Sequence, residues 1–336
     1  MQPHILVTGG GGYLGSNLVY LQHLKGYKIT VLDDFSRSQK RISTMKNVQY
    51  LDCDLNTTAS VSKILKGNEI DVTVHLAAFA YVAESVRDPN IYYRNNLIPL
   101  IKLMTEMSAL NCNRLVFTSS MAVFGRTSID KINEDVKCEP MNPYGETKFL
   151  GEEIIESYSR STKFNSVIFR LPNLFGSQDI PFTSEAHSPE THLLPNVLAE
   201  AQRTLNGGNP SETSLVIHSP NNDQVCSSYV RDFIHVSDVC SAIDLAIKML
   251  LNREVVGSET FNLASDKPHS VLEVLDLARS ITKQPILFKE GGPRDGDANK
   301  LFGDSQKFRS RTGWVPINSE MKTVISKEWI KLLKRN

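Results

Sequence analysis

Tyr144 and Lys148 stand four residues apart in Pro143-Tyr-Gly-Glu-Thr-Lys148, so a helix opened by Pro143 carries a phenol and an ammonium on one face. A phenol with a pKa of about 10 is a weak base at neutral pH, and a neighbouring cation lowers that value by favouring the phenolate. Ser120 ends the run Phe117-Thr-Ser-Ser120, which closes an apolar strand pattern, and its hydroxyl would bond a substrate hydroxyl in concert with Tyr144. Such a set moves a proton on and off an alcohol.

The chain start supplies a partner for that chemistry. His4-Ile-Leu-Val-Thr8 runs into Gly9-Gly-Gly-Gly12-Tyr-Leu-Gly15, so glycines at 9, 12 and 15 lie between a strand pattern and a helix pattern. Backbone N–H groups at such a helix start, with no Cβ in the way, suit a pyrophosphate, and the helix dipole favours its charge. The next strand, Lys28–Leu32, leads to Asp33-Asp34, about 20 residues after the glycines, where a carboxylate bonds a ribose 2'-hydroxyl. A 2'-phosphate would be repelled there, which favours NAD over NADP; the nearby Arg37 is the feature that would suit the phosphate. An oxidised nicotinamide would add a second positive charge beside Tyr144.

Each feature taken singly also has an ordinary structural reading. A glycine run serves as a flexible turn, Tyr144 and Lys148 as surface residues, and a serine at a strand end as a cap. Their combination in one chain favours a dinucleotide-dependent site.

Those residues need a frame. Short apolar runs rich in Val, Ile and Leu at 4–8, 28–32, 48–52, 72–76, 114–118 and 166–170 read as buried parallel strands. Helical patterns at 13–25, 57–66, 89–110 and 143–160 supply the crossovers, which implies an α/β fold with a doubly wound parallel Rossmann sheet. Ligands then bind at the carboxyl ends of the strands. After residue 173 the rhythm breaks: a polar loop at 177–191, a helix near 193–205 and a Gly/Asn/Pro/Ser-rich passage at 206–228 indicate a smaller lobe. A helix at 237–251 and a strand at 260–263 return to the sheet, so the lobes interleave. The expected division is 1–173 plus 233–264 for the dinucleotide domain and 174–232 plus 265–336 for the α/β substrate lobe.

Composition narrows the partners. With 336 residues, 40% of them hydrophobic, the chain can build a substantial core. Lys plus Arg and Asp plus Glu both number 37, which gives no net field to recruit nucleic acid or an anionic membrane. Five scattered cysteines (Cys53, Cys112, Cys138, Cys226, Cys240) show neither zinc spacing nor a disulfide framework, so no metal is expected. No signal peptide fits before the glycine turn, and no apolar run approaches the roughly 18 residues of a membrane span, so the expected setting is cytoplasmic.

The residues TGGGGYLGS (8–16), CDL (53–55), HLAA (75–78), ES (84–85), YYRNN (92–96), FTSSMAVFG (117–125), NPYGETK (142–148), RLPNLFG (170–176), VRDFIHVSD (230–238) and DSQKF with GW (304–314) resemble the extended short-chain dehydrogenase/reductase family. The set is most similar to its UDP-hexose 4-epimerase group. Related dehydratases carry an Asp-Glu pair after the active hydroxyl and related decarboxylases a Glu; Met121 and Ala122 stand there, so elimination lacks its acid and base.

The resemblance implies an NAD-dependent inversion of C4 in a UDP-sugar, with Ser120, Tyr144 and Lys148 catalytic. It implies NAD contacts from Gly9, Gly12, Tyr13, Leu14, Gly15, Asp33, Asp34, Phe35, Asp54, Leu55, Leu76, Ala77, Ala78 and Asn95, and around the nicotinamide from Tyr144, Lys148 and Pro172. Asp54 has an alternative role near a helix start before Thr57. For the UDP-sugar it implies Ser120, then Asn173, His192 and Leu193 at the diphosphate, Val216 and His218 at uracil, Arg231 and Arg294 on phosphate charge, and Asp297 on ribose hydroxyls. Either arginine is otherwise a solvated loop charge.

Five positions depart from the family pattern: Ala80 replaces a lysine, Leu171 and Pro172 replace Tyr-Phe, His218 stands where an aromatic ring stacks near uracil, and Leu301 replaces a large tyrosine that restricts some members to sugars without an N-acetyl group. UDP-N-acetylhexosamine, UDP-pentose and UDP-uronate 4-epimerases, a 4-keto reductase and a non-catalytic NAD-binding regulator therefore remain open. Apolar residues on more than one face of 89–110 and 143–160 (Leu97, Ile101, Met104, Leu110; Phe149, Ile154, Ile155, Tyr158) fit the helix-paired homodimer of related enzymes, or a thick core.

Overall fold

The computed structural model describes residues 2–38, 45–66, 69–178, 192–220 and 228–334. Parts of the expected polar loop (179–191) and of the Gly/Asn-rich passage (221–227, including Cys226) lie outside the described residues.

Seven parallel strands form the main sheet among the described residues. They are β1 (His4–Thr8), β2 (Lys28–Asp33), β3 (Val48–Asp52), β4 (Val72–His75), β5 (Arg114–Ser120), β6 (Asn165–Leu171) and β10 (Ser258–Asn262), in the order β10-β6-β5-β4-β1-β2-β3. Every strand expected from the sequence is present, and the late strand does return to the sheet beside β6, with Ser258 opposite Ser166. The order reverses at β1 and β4, and a ligand crevice opens at such a point.

Helices cover both faces. α1 (Tyr13–Leu24) and α8 (Val236–Leu251) pack on one face over a core that includes Ile5, Val7, Val31, Val74 and Val116. On the other face α2 (Thr58–Lys66), α5 (Ile98–Ala109) and α6 (Pro143–Ser161) cover Leu6, Leu32, Leu115 and Ile168. Alternate residues of β1 and β5 thus serve opposite cores, the period-two pattern of a sheet buried on both sides.

The expected single helix over 89–110 is broken. α4 (Pro89–Tyr92) passes through a wider π turn at Tyr93–Leu97 before α5 begins. Pro99 has no N–H to give the carbonyl four residues back and its ring crowds that carbonyl, so the ladder opens just ahead of it. A short helix not anticipated from the sequence, α3 (Val82–Arg87), precedes this segment.

The later chain builds small sheets beside the first. β7 (Asn173–Phe175) pairs with β9 (Val230–His235), which also pairs with β11 (Pro268–Ser270) and β13 (Lys300–Leu301); β8 (Val216–His218) pairs with β12 (Lys289–Gly291). α7 (Leu193–Leu205), α9 (Val271–Thr282) and α11 (Met321–Lys334) enclose a separate core of Val197, Leu198, Leu275 and Ile325, while α10 (Gln306–Thr312) sets Phe308 and then Trp314 against the first core. Among the described residues, no helix is long and apolar enough to cross a membrane.

Candidate active site

α6 starts where the site needs it. Asn142 caps it by accepting the Gly145 N–H (2.8 Å), Pro143 occupies the first turn, and the Asn142 side-chain N–H donates to the Gly296 carbonyl (2.8 Å). A Cβ at Gly145 would meet the Ala122 carbonyl at 2.5 Å, so this glycine lets α6 lie directly against the turn after β5. Tyr144 and Lys148 therefore face Ser120 at the carboxyl end of β5. Lys148 is buried, donates to the Thr118 carbonyl (2.8 Å) and has its Nζ 5.1 Å from the Phe117 ring centre. Ser120 Oγ accepts the Ala122 N–H (3.1 Å). The Tyr144 ring packs edge-on against Tyr92, with centres 6.4 Å apart.

Burial dominates the electrostatics. It pushes the Tyr144 phenol above its ordinary value, and the hydrogen bond with Ser120 is what opposes it. The sequence reading assigns the lowering of this phenol to Lys148 together with an oxidised nicotinamide; from the protein alone, desolvation is the largest influence on it. Burial also lowers Lys148 to about 8, against the attraction of Glu152 one turn along α6. Glu152 is itself buried, accepts from Ser119 Oγ, and is gripped by Arg170 through both Nε (3.1 Å) and Nη2 (2.7 Å).

The glycine turn is a cradle that a larger residue would fill. A Cβ at Gly9, where φ is +71°, would stand 2.6 Å from the Ala77 nitrogen, and one at Gly15 would run into the Gly9 carbonyl. Gly12 occupies the cap position of α1 with no side chain, leaving the helix N–H groups open to an anion. Asp33, at the end of β2, accepts from Gly11 N–H (2.8 Å), Phe35 N–H (2.8 Å) and Ser38 Oγ (3.0 Å). A carboxylate accepts about four hydrogen bonds, so Asp33 keeps capacity for a ribose hydroxyl. These features fit a dinucleotide.

The other expected cofactor residues fall around this cradle with differing roles. Tyr13 donates its hydroxyl to the Gly176 carbonyl, tying α1 to the end of β7, and Leu14 packs on the first core. Phe35 adopts a left-handed φ of 53°, while Asp34 is exposed and accepts from Ser36. Asp54 is exposed and accepts from Asn56 N–H (2.8 Å) in the turn before α2, in line with its structural alternative; Leu55 is buried beside it. Leu76, Ala77 and Ala78 follow β4, Asn95 donates to the Ile91 carbonyl (2.6 Å), and Pro172 joins β6 to β7.

The expected UDP-sugar residues lie in the later chain. Asn173 is the exposed head of β7, His192 caps α7 and Leu193 is its first residue. Val216 is exposed on β8, and His218 at its end has Nδ1 2.9 Å from the Gly292 carbonyl. Arg231 is buried and bonds Asp297 (2.7 Å), so the residue expected on phosphate and the one expected on ribose neutralise each other. Arg294 is exposed, its backbone N–H bonded to the Tyr229 hydroxyl (3.0 Å). Two contacts carry this set to the catalytic pair: the Asn142 bond to Gly296, between Arg294 and Asp297, and the His192 ring 6.4 Å from that of Tyr81.

The family model of the NAD dependent epimerase/dehydratase family matches residues 5–264. The chain belongs to this family. It is 34% identical over 325 residues to a UDP-glucose 4-epimerase of Lactobacillus helveticus, covering 97% of this chain and 96% of that protein. It superposes on the UDP-glucose 4-epimerase of Bifidobacterium longum in complex with NAD+ and UDP with a TM-score of 0.89 at 25% identity, covering 98% of each chain. For the UDP-glucose 4-epimerase of Brucella ovis in complex with NAD the TM-score is 0.86 at 27% identity, covering 97% of this chain and 98% of that one.

Several members of this epimerase/dehydratase site escaped the sequence reading. Glu152 follows Lys148 at the same four-residue spacing that links Tyr144 to Lys148, a signal that could have been used. Tyr92 and Arg170 lie in the YYRNN and RLPNLFG motifs but were given no role, because their partners Glu84 and Glu152 sit on other elements, and Tyr229, 65 residues from Arg294, gave no signal.

Proposed function

We propose that this protein is an NAD-dependent 4-epimerase of a UDP-sugar, acting as a cytosolic homodimer. Residues 1–173 with 233–264 hold NAD in this reading, and 174–232 with 265–336 hold the nucleotide sugar. The observation that carries it is buried Lys148, one helical turn from Tyr144 on α6 and bonded to the Thr118 carbonyl at the end of β5, where Met121 and Ala122 follow Ser120 in place of an acid-base pair.

When bound, NAD supplies a reversible hydride acceptor. Tyr144 takes the proton of the sugar 4-hydroxyl, and the hydrogen bond from Ser120 steadies its oxygen as phenolate. Lys148 supplies positive charge beneath them and orients the nicotinamide ribose. The resulting 4-keto sugar turns about its link to the diphosphate and Tyr144 returns the proton on regaining hydride at the other face. His192, Leu193 and the exposed Arg294 keep the diphosphate fixed while the sugar turns, with Arg231 exchanging Asp297 for phosphate when the substrate binds, since arginine grips two phosphate oxygens at once and a helix start favours an anion.

The sugar itself is a UDP-hexose or a near relative. Leu301 packs beside Met121 and Ile132 next to the Ser120 turn, and a leucine there leaves more room than a tyrosine, which supports acceptance of an N-acetylhexosamine. Incubation with UDP-Glc, UDP-GlcNAc, UDP-Xyl and UDP-GlcA, followed by chromatography of each C4 epimer, tests the reading. At least one is converted without added cofactor, and Tyr144→Phe lowers the rate about 100-fold or more while NAD stays bound. A requirement for added NADPH would point to a 4-keto reductase, and no conversion with NAD bound to a regulator.

A further inference from the structure

Two loops bracket the glycine turn. On one side a Cβ at Gly11 would lie 2.8 Å from Ser38 Oγ and 3.0 Å from the Phe35 ring; on the other, Gly9 abuts Ala77. In the epimerase reading, a dinucleotide with its adenosine at Asp33 and its nicotinamide toward Tyr144 would run between these loops. A tie joins them. Arg37, after β2, donates Nη1 to Glu84 Oε2 (2.7 Å) and Nη2 to Oε1 (2.8 Å), reaching α3 beyond β4. The same guanidinium lies 3.6 Å from the Phe79 ring centre and 5.6 Å from that of Tyr81.

Glu84 is anchored from its other side. The Tyr92 hydroxyl is 2.7 Å from Glu84 Oε2 and accepts the Tyr81 N–H (2.9 Å), and the fully buried Tyr92 ring packs against Tyr144. The chain of contacts Arg37, Glu84, Tyr92, Tyr144 thus runs from the adenosine end of the cleft to the catalytic phenol.

We propose that the Arg37–Glu84 pair is a strap that retains the bound dinucleotide between the two halves of the reaction. It rests on the epimerase reading above, in which NAD ends each cycle unchanged and its early loss would strand the keto sugar. Both arms of Arg37 are taken by Glu84 and its face lies on Phe79, so this guanidinium is committed to the strap instead of reading a 2'-phosphate. The Arg37 side chain is about a third exposed and that of Glu84 about a quarter, and ion pairs so placed add little to fold stability; their geometry serves retention.

The test is the dissociation rate of NAD from loaded wild-type protein and from Arg37→Ala, Glu84→Gln and the double variant, read as dinucleotide left on the protein after rapid desalting. Each single variant is expected to release NAD about tenfold faster or more, with the double no faster than the quicker single, since both remove one device. Unfolding midpoints of the NAD-free proteins stay unchanged, which separates retention from folding. Single variants that hold NAD as the wild type does, or effects that multiply in the double, overturn the strap. A wild-type protein that binds no dinucleotide would instead remove the reading on which the strap rests.

Discussion

At the scale of single residues, the site places a charge where the fold would rather have none. Lys148 has a pKa of about 8 in the folded protein against 10.5 for the free group, burial being the cause. Below about 8 it is protonated in both folded and unfolded states, so the full desolvation cost opposes folding there. The unfolded chain binds the extra proton between 8 and 10.5, so stability rises with pH across that window. Lys148→Met is therefore expected to be inactive yet more stable at pH 7. The fall from 10.5 to about 8 sets a ceiling of about 3 kcal/mol, from which loss of the bond to the Thr118 carbonyl takes about 1 kcal/mol. Chemical unfolding at pH 7 and again near 10 checks it: the variant's advantage should shrink at the higher pH. Tyr144, Lys148 and Ser120 were legible in the sequence because helix spacing and a strand end place them. The Arg170 fork on Glu152 was not, since it joins β6 to α6 and depends on how the helix lies on the sheet.

At the scale of elements, the glycine turn shows two different needs for a missing side chain. Gly12 has an ordinary backbone, and its Cβ would meet only the Gly9 carbonyl, at 3.3 Å, in the mouth of the cradle. Gly15 is buried inside α1, where a Cβ would run into the backbone of Gly9 and lie 2.6 Å from Gly10 Cα. Gly12→Ala is accordingly expected to change stability by no more than about 0.5 kcal/mol and to weaken NAD binding, whereas Gly15→Ala costs about 1–3 kcal/mol because α1 must move off β1. Thermal unfolding of the NAD-free variants, set beside titration with NAD, separates the two. Equal unfolding midpoints would sink the distinction. The strands and main crossovers were readable because each carries a full period of apolar residues. The π turn before Pro99 was not, since periodicity over 89–110 continues through it while the hydrogen-bond ladder changes.

At the scale of the whole molecule, the seven-stranded sheet was more legible than the small sheets of the later chain. β7, β8, β12 and β13 are two or three residues long, too short for alternation to show, and their pairings bring together segments tens of residues apart. The proposed dimer draws on the same helices that cover one face of the main sheet. α5 and α6 turn Leu100, Leu103, Met104, Met107 and Ile155 into the core, so of the apolar surplus read from the sequence Met104 and Ile155 belong to that core, Leu110, Ile154 and Tyr158 pack against it, and Phe149 packs against the turn after β5. Ile98, Ile101 and Leu150 remain outward and about two-fifths exposed, and the contact of Thr105 with the Tyr158 hydroxyl (3.3 Å) sets the two helices side by side. An apolar face spread over two adjacent helices buries itself best against its own symmetry copy, residue i on one subunit meeting residue j on the other. The Ile101→Glu, Leu150→Glu double variant is expected to run as a monomer by size exclusion with light scattering at micromolar concentration, while the wild type runs as a dimer. Both positions are outside the core, so circular dichroism and NAD content should remain those of the wild type. A wild-type monomer, or a double variant that stays dimeric, would place the subunit contact elsewhere or nowhere, and these outward side chains would then be no more than an ordinary exposed fraction of the surface.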